Sequence, residues 1–479
     1  MKSSTGTDIR NKTRIRTRSR NRNRNRIKTR TRTRTRIRIR IRIRIRIRIE
    51  NIIGVKVFAG ALLLFLVLLG PELKSQVKIN SPYTRFGLGW IVENRFETRI
   101  MGMGGLRYGV RNSEFVNPAN PASYSAFDSL SFIFQGGVFG TNVWLNTDQL
   151  SETGNFFSMS HLLFGFPVTK WLRVSGGVLP YSYVGYDVFV DDEIDDIGDV
   201  RYFYQGSGGL NKVYLGAGFR ISESLSAGFN ASFLFGTVYR ERGVGFTSNI
   251  NYRNTRAQEA FTSNDFLFDF GVQYSRKIRD KFRITGGLTY SPEITVNSKY
   301  GYLVTSYYGN INSIQAFRDT IENRSGTDGS FIVPQKIGAG ISFENENNWT
   351  VGADFSWQNW ENFELFGVPD SMNNSWNIAF GGEVTPDPNS IRSYWDRVSY
   401  RLGFRYGRSY LNFRETNLNE IGISFGFGLP LRKGKTTINI AVEAGRTGTI
   451  DNGLIQENFV RFTLGVNIFE NWFIKSKYF

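Results

Sequence analysis

The sequence has no cysteine and a single histidine, His161. Disulfides and thiol chemistry are thereby excluded, and a His-based metal site or catalytic triad has no partners. Long apolar runs are missing too. The longest, "VFAGALLLFLVLL" at residues 57–69, stops at thirteen residues, whereas a spanning helix needs about 20. Excess positive charge is also missing where the totals imply it. Sixty Lys+Arg against 41 Asp+Glu give a net +19, a balance that invites nucleic acid. Residues 1–76, however, hold 23 basic and 3 acidic residues, leaving 37 and 38 for the rest. The body of the chain is neutral, and no nucleic-acid partner is expected.

The leader, residues 1–76, has two parts. Its Arg repeat, "RTRTRTRIRIRIRIRIRIRI", has no apolar face and repels itself, the composition of a disordered segment. It reads as an over-long n-region or an upstream start codon; a nucleic-acid arm is the rival. The thirteen-residue run that follows reads as a signal-peptide core, with cleavage near Ser75/Gln76. A lone membrane anchor is its rival.

What is present is period two. From about Leu130 onward, apolar and polar residues alternate over fourteen segments, for example Val213–Ile221 and Leu225–Phe235 around the turn "SES". Such alternation marks strands with two different faces. Breaks after even-numbered segments are short ("TKW", "SES", "RDK", "RKGK"). Breaks after odd ones are long and polar: 146–158, 191–200, 247–264, about 301–335, 361–375, 407–419 and 448–456. One even-side link, "PDPNSIRSYWDR" at 386–397, is long. Short turns on one rim and long loops on the other predict an all-β, transmembrane antiparallel barrel of about 14 strands over residues 130–469. Residues 470–479 are its tail or the end of its last strand. In lipid a sheet must close on itself, because free edges leave backbone groups unpaired. Trp171, Trp349 and Trp376, at strand beginnings, suit an interfacial girdle. A soluble all-β domain is the rival; its strands would be shorter.

Residues 77–129 lack period two. They hold "SPYTRFGLGW", "MGMGGLRYGV" and "VNPANPASYS". Proline fixes φ and removes a donor, and asparagine bonds nearby backbone in turns, so the doubled triplet Asn117, Pro118, Ala119 and Asn120, Pro121, Ala122 predicts a stiff elbow. A fourteen-strand barrel is wider than its own side chains can fill. This segment, beginning on the short-turn rim, is the natural plug.

Taken together, the "GMGG" stretch, the NPA triplets and the fourteen alternating segments resemble the FadL-like family of outer-membrane long-chain fatty-acid and hydrophobic-compound transporters. The resemblance implies a Gram-negative outer-membrane location, an N-terminal hatch, no cofactor and no enzymatic activity. It implies passive uptake of fatty-acid-like ligands, with a lateral exit through a gap in the third strand. It also implies outer-membrane lipid and the barrel-assembly machinery as partners, the latter through a C-terminal aromatic, Phe479 or Phe469. Pro180, in mid-strand after Gly176 and Gly177, independently predicts a bulge or a local opening.

The inward face of later strands carries Asp354, Glu383, Arg401, Arg405, Glu443 and Arg461. Buried charges persist when paired or wet. They read as an ion-pair network pinning the plug; a carboxylate site forked by Arg401 or Arg405 is the sharper alternative. His161 is expected at the loop rim. "DDEIDDIGD", 191–199, is expected in an external loop, with Ca²⁺ binding as a weaker reading, and "YSRKIRDK" as a solvated turn. The lead function is a hatch-gated channel for hydrophobic small molecules. The alternative is an accessory barrel of a protein-secretion machinery, type IX-like, in which the charged network plugs the lumen solid.

Overall fold

The computed structural model describes residues 81–92, 97–246, 252–279, 281–308, 317–345, 348–370, 372–413, 415–431 and 435–472. The leader, the signal segment, its cleavage point and Phe479 lie outside the described residues. Among the described residues no helix is long and apolar enough to cross a membrane; the crossing elements are strands.

Fourteen antiparallel strands close into a barrel. They are β1 Ser131–Asn146, β2 Ser151–Pro167, β3 Leu172–Ile194, β4 Gly198–Arg220, β5 Leu225–Phe246 and β6 Asn254–Arg279. Next come β7 (Phe282–Ser291, continued as Ile294–Tyr307) and β8 (Phe317–Val333, continued as Lys336–Asn345). The set ends with β9 Trp349–Gln358, β10 Ser375–Val384, β11 Ser399–Phe413, β12 Thr416–Pro430, β13 Thr437–Thr447 and β14 Gln456–Asn471. β7 breaks at Pro292 and β8 at Pro334, where proline cannot donate to the ladder. Closure is made by β14 on β1, from Gln456–Asn146 to Asn471–Ser131.

Alternation sets the two faces. On β6, Phe266, Phe268, Phe270 and Val272 point outward and are exposed, as an apolar belt facing lipid requires, while Leu267, Gly271 and Gln273 point inward.

Most of the expected long loops are strand. β3 to β6 run 23, 23, 22 and 26 residues. About ten suffice to cross a bilayer, so the hairpins continue beyond the membrane on the loop side. "DDEIDDIGD" forms the tip of the β3–β4 hairpin, where Arg201 pairs with Asp191. The β9–β10 link folds inward, burying Trp360, Phe363 and Met372, and its Leu365 pairs with Phe331 of β8.

His161 corrects a second expectation. It lies within β2, almost fully buried, with Nδ1 2.8 Å from Ser160 Oγ. Gly137 pairs with His161 and Val138 with Met159, leaving Ser160 as an inserted bulge residue. The bulge shifts parity: Phe156 is inward before it, Leu163 and Gly165 after it.

The hatch and its anchoring: candidate functional site

The hatch enters at the loop-side end of the lumen, not at the short-turn rim. The Ser81 amide donates to Gly185 O (3.0 Å), and Tyr83 OH donates to Ile455 O (2.7 Å) just before β14. From there residues 90–92 run along β3. Trp90 pairs with Tyr183 and Ile91 with Ser182, and the Val92 amide donates to Tyr181 O (3.0 Å). A short helix, α1 (Thr98–Gly102), follows, its N-terminus capped by Glu97, which accepts from the Ile100 amide at 2.9 Å. Burial pushes the Glu97 carboxyl up, and these amide bonds pull it back. The chain then crosses the lumen and descends to β1.

The doubled triplet has a defined task. Asn117 Oδ1 accepts from the Ala119 amide and Asn120 Oδ1 from the Ala122 amide, each at 3.2 Å. These bonds turn both triplets the same way. Both side-chain amides then point to one stretch of hatch. Asn117 Nδ2 donates to Arg107 O (2.6 Å) and Asn120 Nδ2 to Tyr108 O (2.9 Å). Asp354 takes the other side of that stretch, accepting from the amides of Arg107 (2.5 Å), Tyr108 (2.7 Å) and Gly109 (3.5 Å). Gln273 Nε2 donates to Tyr108 O and Val110 O, both at 3.1 Å, and Ser342 Oγ to Gly109 O at 2.7 Å. Residues 107–110 thus lie in a clamp made by the NPA elbow and by strands from across the barrel. The elbow itself is fixed by Asn230, whose Nδ2 donates to Pro118 O (2.9 Å) while its Oδ1 accepts from Tyr124 OH (2.9 Å).

The six inward charges divide into two groups besides Asp354. Glu383 lies between Arg99 of the hatch (2.7 Å) and Arg401 (2.5 Å), and Arg401 Nη1 also donates to Asn439 Oδ1 (2.8 Å). Arg405 bridges Glu420 (2.6 Å) and Glu443, whose other oxygen accepts from Arg461 (2.6 Å). Each guanidinium is engaged by carboxylates the barrel itself supplies, so the carboxylate-fork alternative has its fork already occupied. Paired charges in dry surroundings fix geometry more surely than they add stability.

Glycines mark where hatch backbone meets wall, a signal the sequence reading passed over. A side chain at Gly403 would run into the Gly104 amide, and one at Gly287 into Tyr108 O. Close backbone approach is the physical reason for glycine there.

Gly176, Gly177 and Pro180 lie where β2 and β3 part. β2 pairs with β3 only from Leu162–Val178 to Pro167–Arg173, although it pairs with β1 as far as Asn146–Ser151. Pro180 pairs with Asn211 and Ser182 with Leu210, so Tyr181 is a bulge. Just above this point the edge of β3 from Tyr181 to Gly185 is taken by the hatch, through Trp90, Ile91, Val92, Ser81 and Thr84. Tyr183 OH reaches across to Ser158 Oγ (2.9 Å) and donates to Met159 O (3.2 Å). Beside Pro180 a cavity of about 80 Å³ remains, with Ile91, Lys212 and Asp269 in its lining. The loop-side lumen above it is an apolar core that includes Leu88, Ile91, Leu210, Phe261, Phe331 and Trp360. Toward the short turns a polar cavity of about 1230 Å³ lies under the hatch.

The sequence model of the BamG family matches residues 56–479. The chain belongs to the BamG family. No curated protein sequence matches it. Among solved structures, the barrel of this BamG-family chain is similar to the toluene transporter TodX of P. putida, with 13% identity, 79% of this chain and 99% of that one covered, and a TM-score of 0.50. It is also similar to the deltaS2S3 mutant of the TodX monoaromatic hydrocarbon channel (13% identity, 78% and 98% covered, TM-score 0.52). A FadL homologue of Pseudomonas aeruginosa aligns with 13% identity over 79% and 98% of the two chains, at a TM-score of 0.49. The fold is thus that of the TodX channel barrels. The proteins alike in fold are a toluene transporter and a monoaromatic hydrocarbon channel.

Proposed function

We propose that this barrel works closed, as a partner subunit of outer-membrane barrel assembly. The observation that carries the reading is the filled loop-side half of the lumen. A route for a hydrophobic small molecule calls for a pocket of roughly 300–1,000 Å³, and beside Pro180 only about 80 Å³ remains under a packed apolar core. Membership of a family named for the Bam machinery supports the same conclusion. The clamp on residues 107–110 and the Glu383 and Glu443 ion pairs keep the stopper in place, which a rigid scaffold requires and a conduit resists. The secretion-accessory role, of which type IX is an instance, falls in the same class. Purification from outer membranes in mild detergent followed by native mass spectrometry tests it. A stoichiometric assembly-machinery protein and no bound amphiphile is the expected result. A lipid-like ligand with no protein would overturn it.

A second reading is favoured by one feature, the parting of β2 from β3 at Leu162–Val178. There the barrel would act in passive uptake of fatty-acid-like molecules, gated by the hatch and releasing ligand sideways past Gly176, Gly177 and Pro180. Its test is toluene or fatty-acid flux into proteoliposomes: flux abolished by cross-linking position 158 to 183 supports it. The outer-membrane placement in both readings includes removal of the leader near Ser75/Gln76, which N-terminal sequencing of the mature protein checks.

A further inference from the structure

β2 and β3 do not pair again above the Pro180 bulge. On the loop side, the exterior of an outer-membrane barrel, each is left with a free flank. In an antiparallel ladder a residue turns its N–H and C=O the same way, and successive residues alternate. Existing contacts fix which residues face the gap. Gly185 O accepts from the Ser81 amide (3.0 Å), and the Gly185 amide donates to Thr84 Oγ1 (3.1 Å). β3 keeps one register with β4 from Ser182–Leu210 to Ile194–Gly198, so Asp187, Phe189 and Asp191 turn their backbone groups the same way as Gly185. On β2, Met159 O accepts from Tyr183 OH across the gap (3.2 Å). Phe157, Asn155 and Thr153 follow its direction. Among the described residues, no backbone group reaches these six from the gap.

The barrel itself shows what this flank holds. Just below, the same flank of β3 carries an added strand, with Trp90 on Tyr183 and Ile91 on Ser182. The hatch leaves the flank at Gly185, and the bare row continues the same line. Asp187 is the sixteenth residue of β3, past the roughly ten that cross a bilayer, so lipid does not cover this row. A free row of donors and acceptors outside the membrane is a template for one more extended segment.

The side chains around the row select its occupant. β3 presents Asp187, Asp191, Asp192 and Glu193, and the facing flank of β2 presents Glu152, all exposed. Arg201 answers Asp191 (2.5 Å), and Gln205 Nε2 donates to Asp187 Oδ1 (3.0 Å). The surplus is negative. Such an edge repels an acidic strand and draws a basic one. Phe189 and Val190, both exposed, add apolar surface on the two faces of the strand.

We infer that the β3 flank at Asp187–Asp191 receives an extended, basic segment of a partner protein by strand addition, in line with the hatch. The inference rests on the partner-barrel reading and names the chemistry of the contact on the cell exterior.

The test uses the mature barrel in detergent and a fluorescent decapeptide alternating Lys with Val, read by anisotropy. Comparison probes are its Glu–Val counterpart and a fully N-methylated form, which keeps the charges and loses the donors. The basic peptide binds, the acidic one does not, and N-methylation weakens binding at least about tenfold, the loss of several hydrogen bonds. Amide exchange slows at Asp187, Phe189 and Asp191, while Val188 and Val190, turned toward β4, are unchanged. Asp187→Asn with Glu193→Gln weakens binding severalfold. Phe189→Pro removes a donor from the free flank and leaves the β4 ladder intact; it weakens binding more than Phe189→Ala, which keeps the donor. Equal binding of both peptides, equal binding of the methylated form, or protection spread evenly over 187–191 overturns the inference. Binding that appears only once residues 77–80 are removed overturns it too, because the flank then belongs to the chain's own start. If an assembly protein co-purifies while the peptide does not bind, the inference falls and the partner reading stands. If the peptide binds in a donor-dependent way and no assembly protein co-purifies, the flank stands and the partner reading falls.

Discussion

Toward its loops the lumen is dry, and toward its short turns it is wet. The dry end is closed by apolar side chains from β3 to β8, β11 and β12, by hatch residues such as Leu88 and Ile91, and by the inward-folded β9–β10 link with Trp360 and Phe363. The wet end keeps a polar cavity of about 1230 Å³ whose walls are held by ion pairs. The hatch lies at the boundary, its 107–110 stretch saturated with hydrogen bonds. Two different forces therefore seal one pore: on the dry side the seal is non-directional packing, while at the clamp it depends on particular donors and acceptors. A stopper seated by both resists any single perturbation.

The most drastic way to break the contrast is to remove what separates the two ends. Deleting residues 77–125 joins dry and wet halves, and single-channel conductance in planar bilayers rises from a closed baseline. A trace that stays closed would show that the inward link alone seals the barrel. Next come two substitutions of comparable size but different kind. Arg405→Met leaves Glu443 and Glu420 short of a buried partner and costs about 3–5 kcal/mol. Trp360→Ala opens a void in the dry end and costs about 3–5 kcal/mol. Urea midpoints in detergent measure both. Exchanging Arg405, Glu420, Glu443 and Arg461 together for apolar residues of similar volume recovers most of the first loss, and no polar rescue recovers the second. Equal rescue would erase the distinction between the ends. Smaller still, Asn117→Ala removes the donor to Arg107 O, at about 1–3 kcal/mol, and Asn120→Ala, which leaves Tyr108 O with Gln273, costs less. The effect is local: amide exchange rises at 107–110 before the barrel loosens, and uniform exchange would argue against a clamp. Smallest is Pro180→Ala, which restores a donor at an existing bulge and moves the urea midpoint little.

Strand number, strand order and the inward set of charges were legible because period two reports which face a side chain takes, and both lipid and lumen enforce it. Strand length was not legible. Beyond the membrane no lipid face enforces alternation, so the upper parts of β3 to β6 read as polar loops. His161 was misplaced for a related reason: the Ser160 bulge shifts parity, and the alternation fades before Leu162. Trp360 and Phe363 were hidden in a link whose length suggested exposure. The NPA elbow was recognised as stiff, but its receptor, the backbone of 107–110, could not be seen, because backbone carbonyls carry no sequence signature. The glycines opposite the hatch, Gly287 and Gly403 among them, did carry one. Inward positions left bare of side chains imply a neighbour pressed against them.

One topological fact constrains biogenesis. The ladder joining β14 to β1 has sixteen rungs between residues near opposite ends of the described chain, whereas the stopper precedes β1 in sequence. The last staves can be fitted only after β14 has been made, with the cork already waiting where the cask will be. The stopper is walled in, not threaded through, so a slow-folding stopper would delay the hooping of the whole vessel.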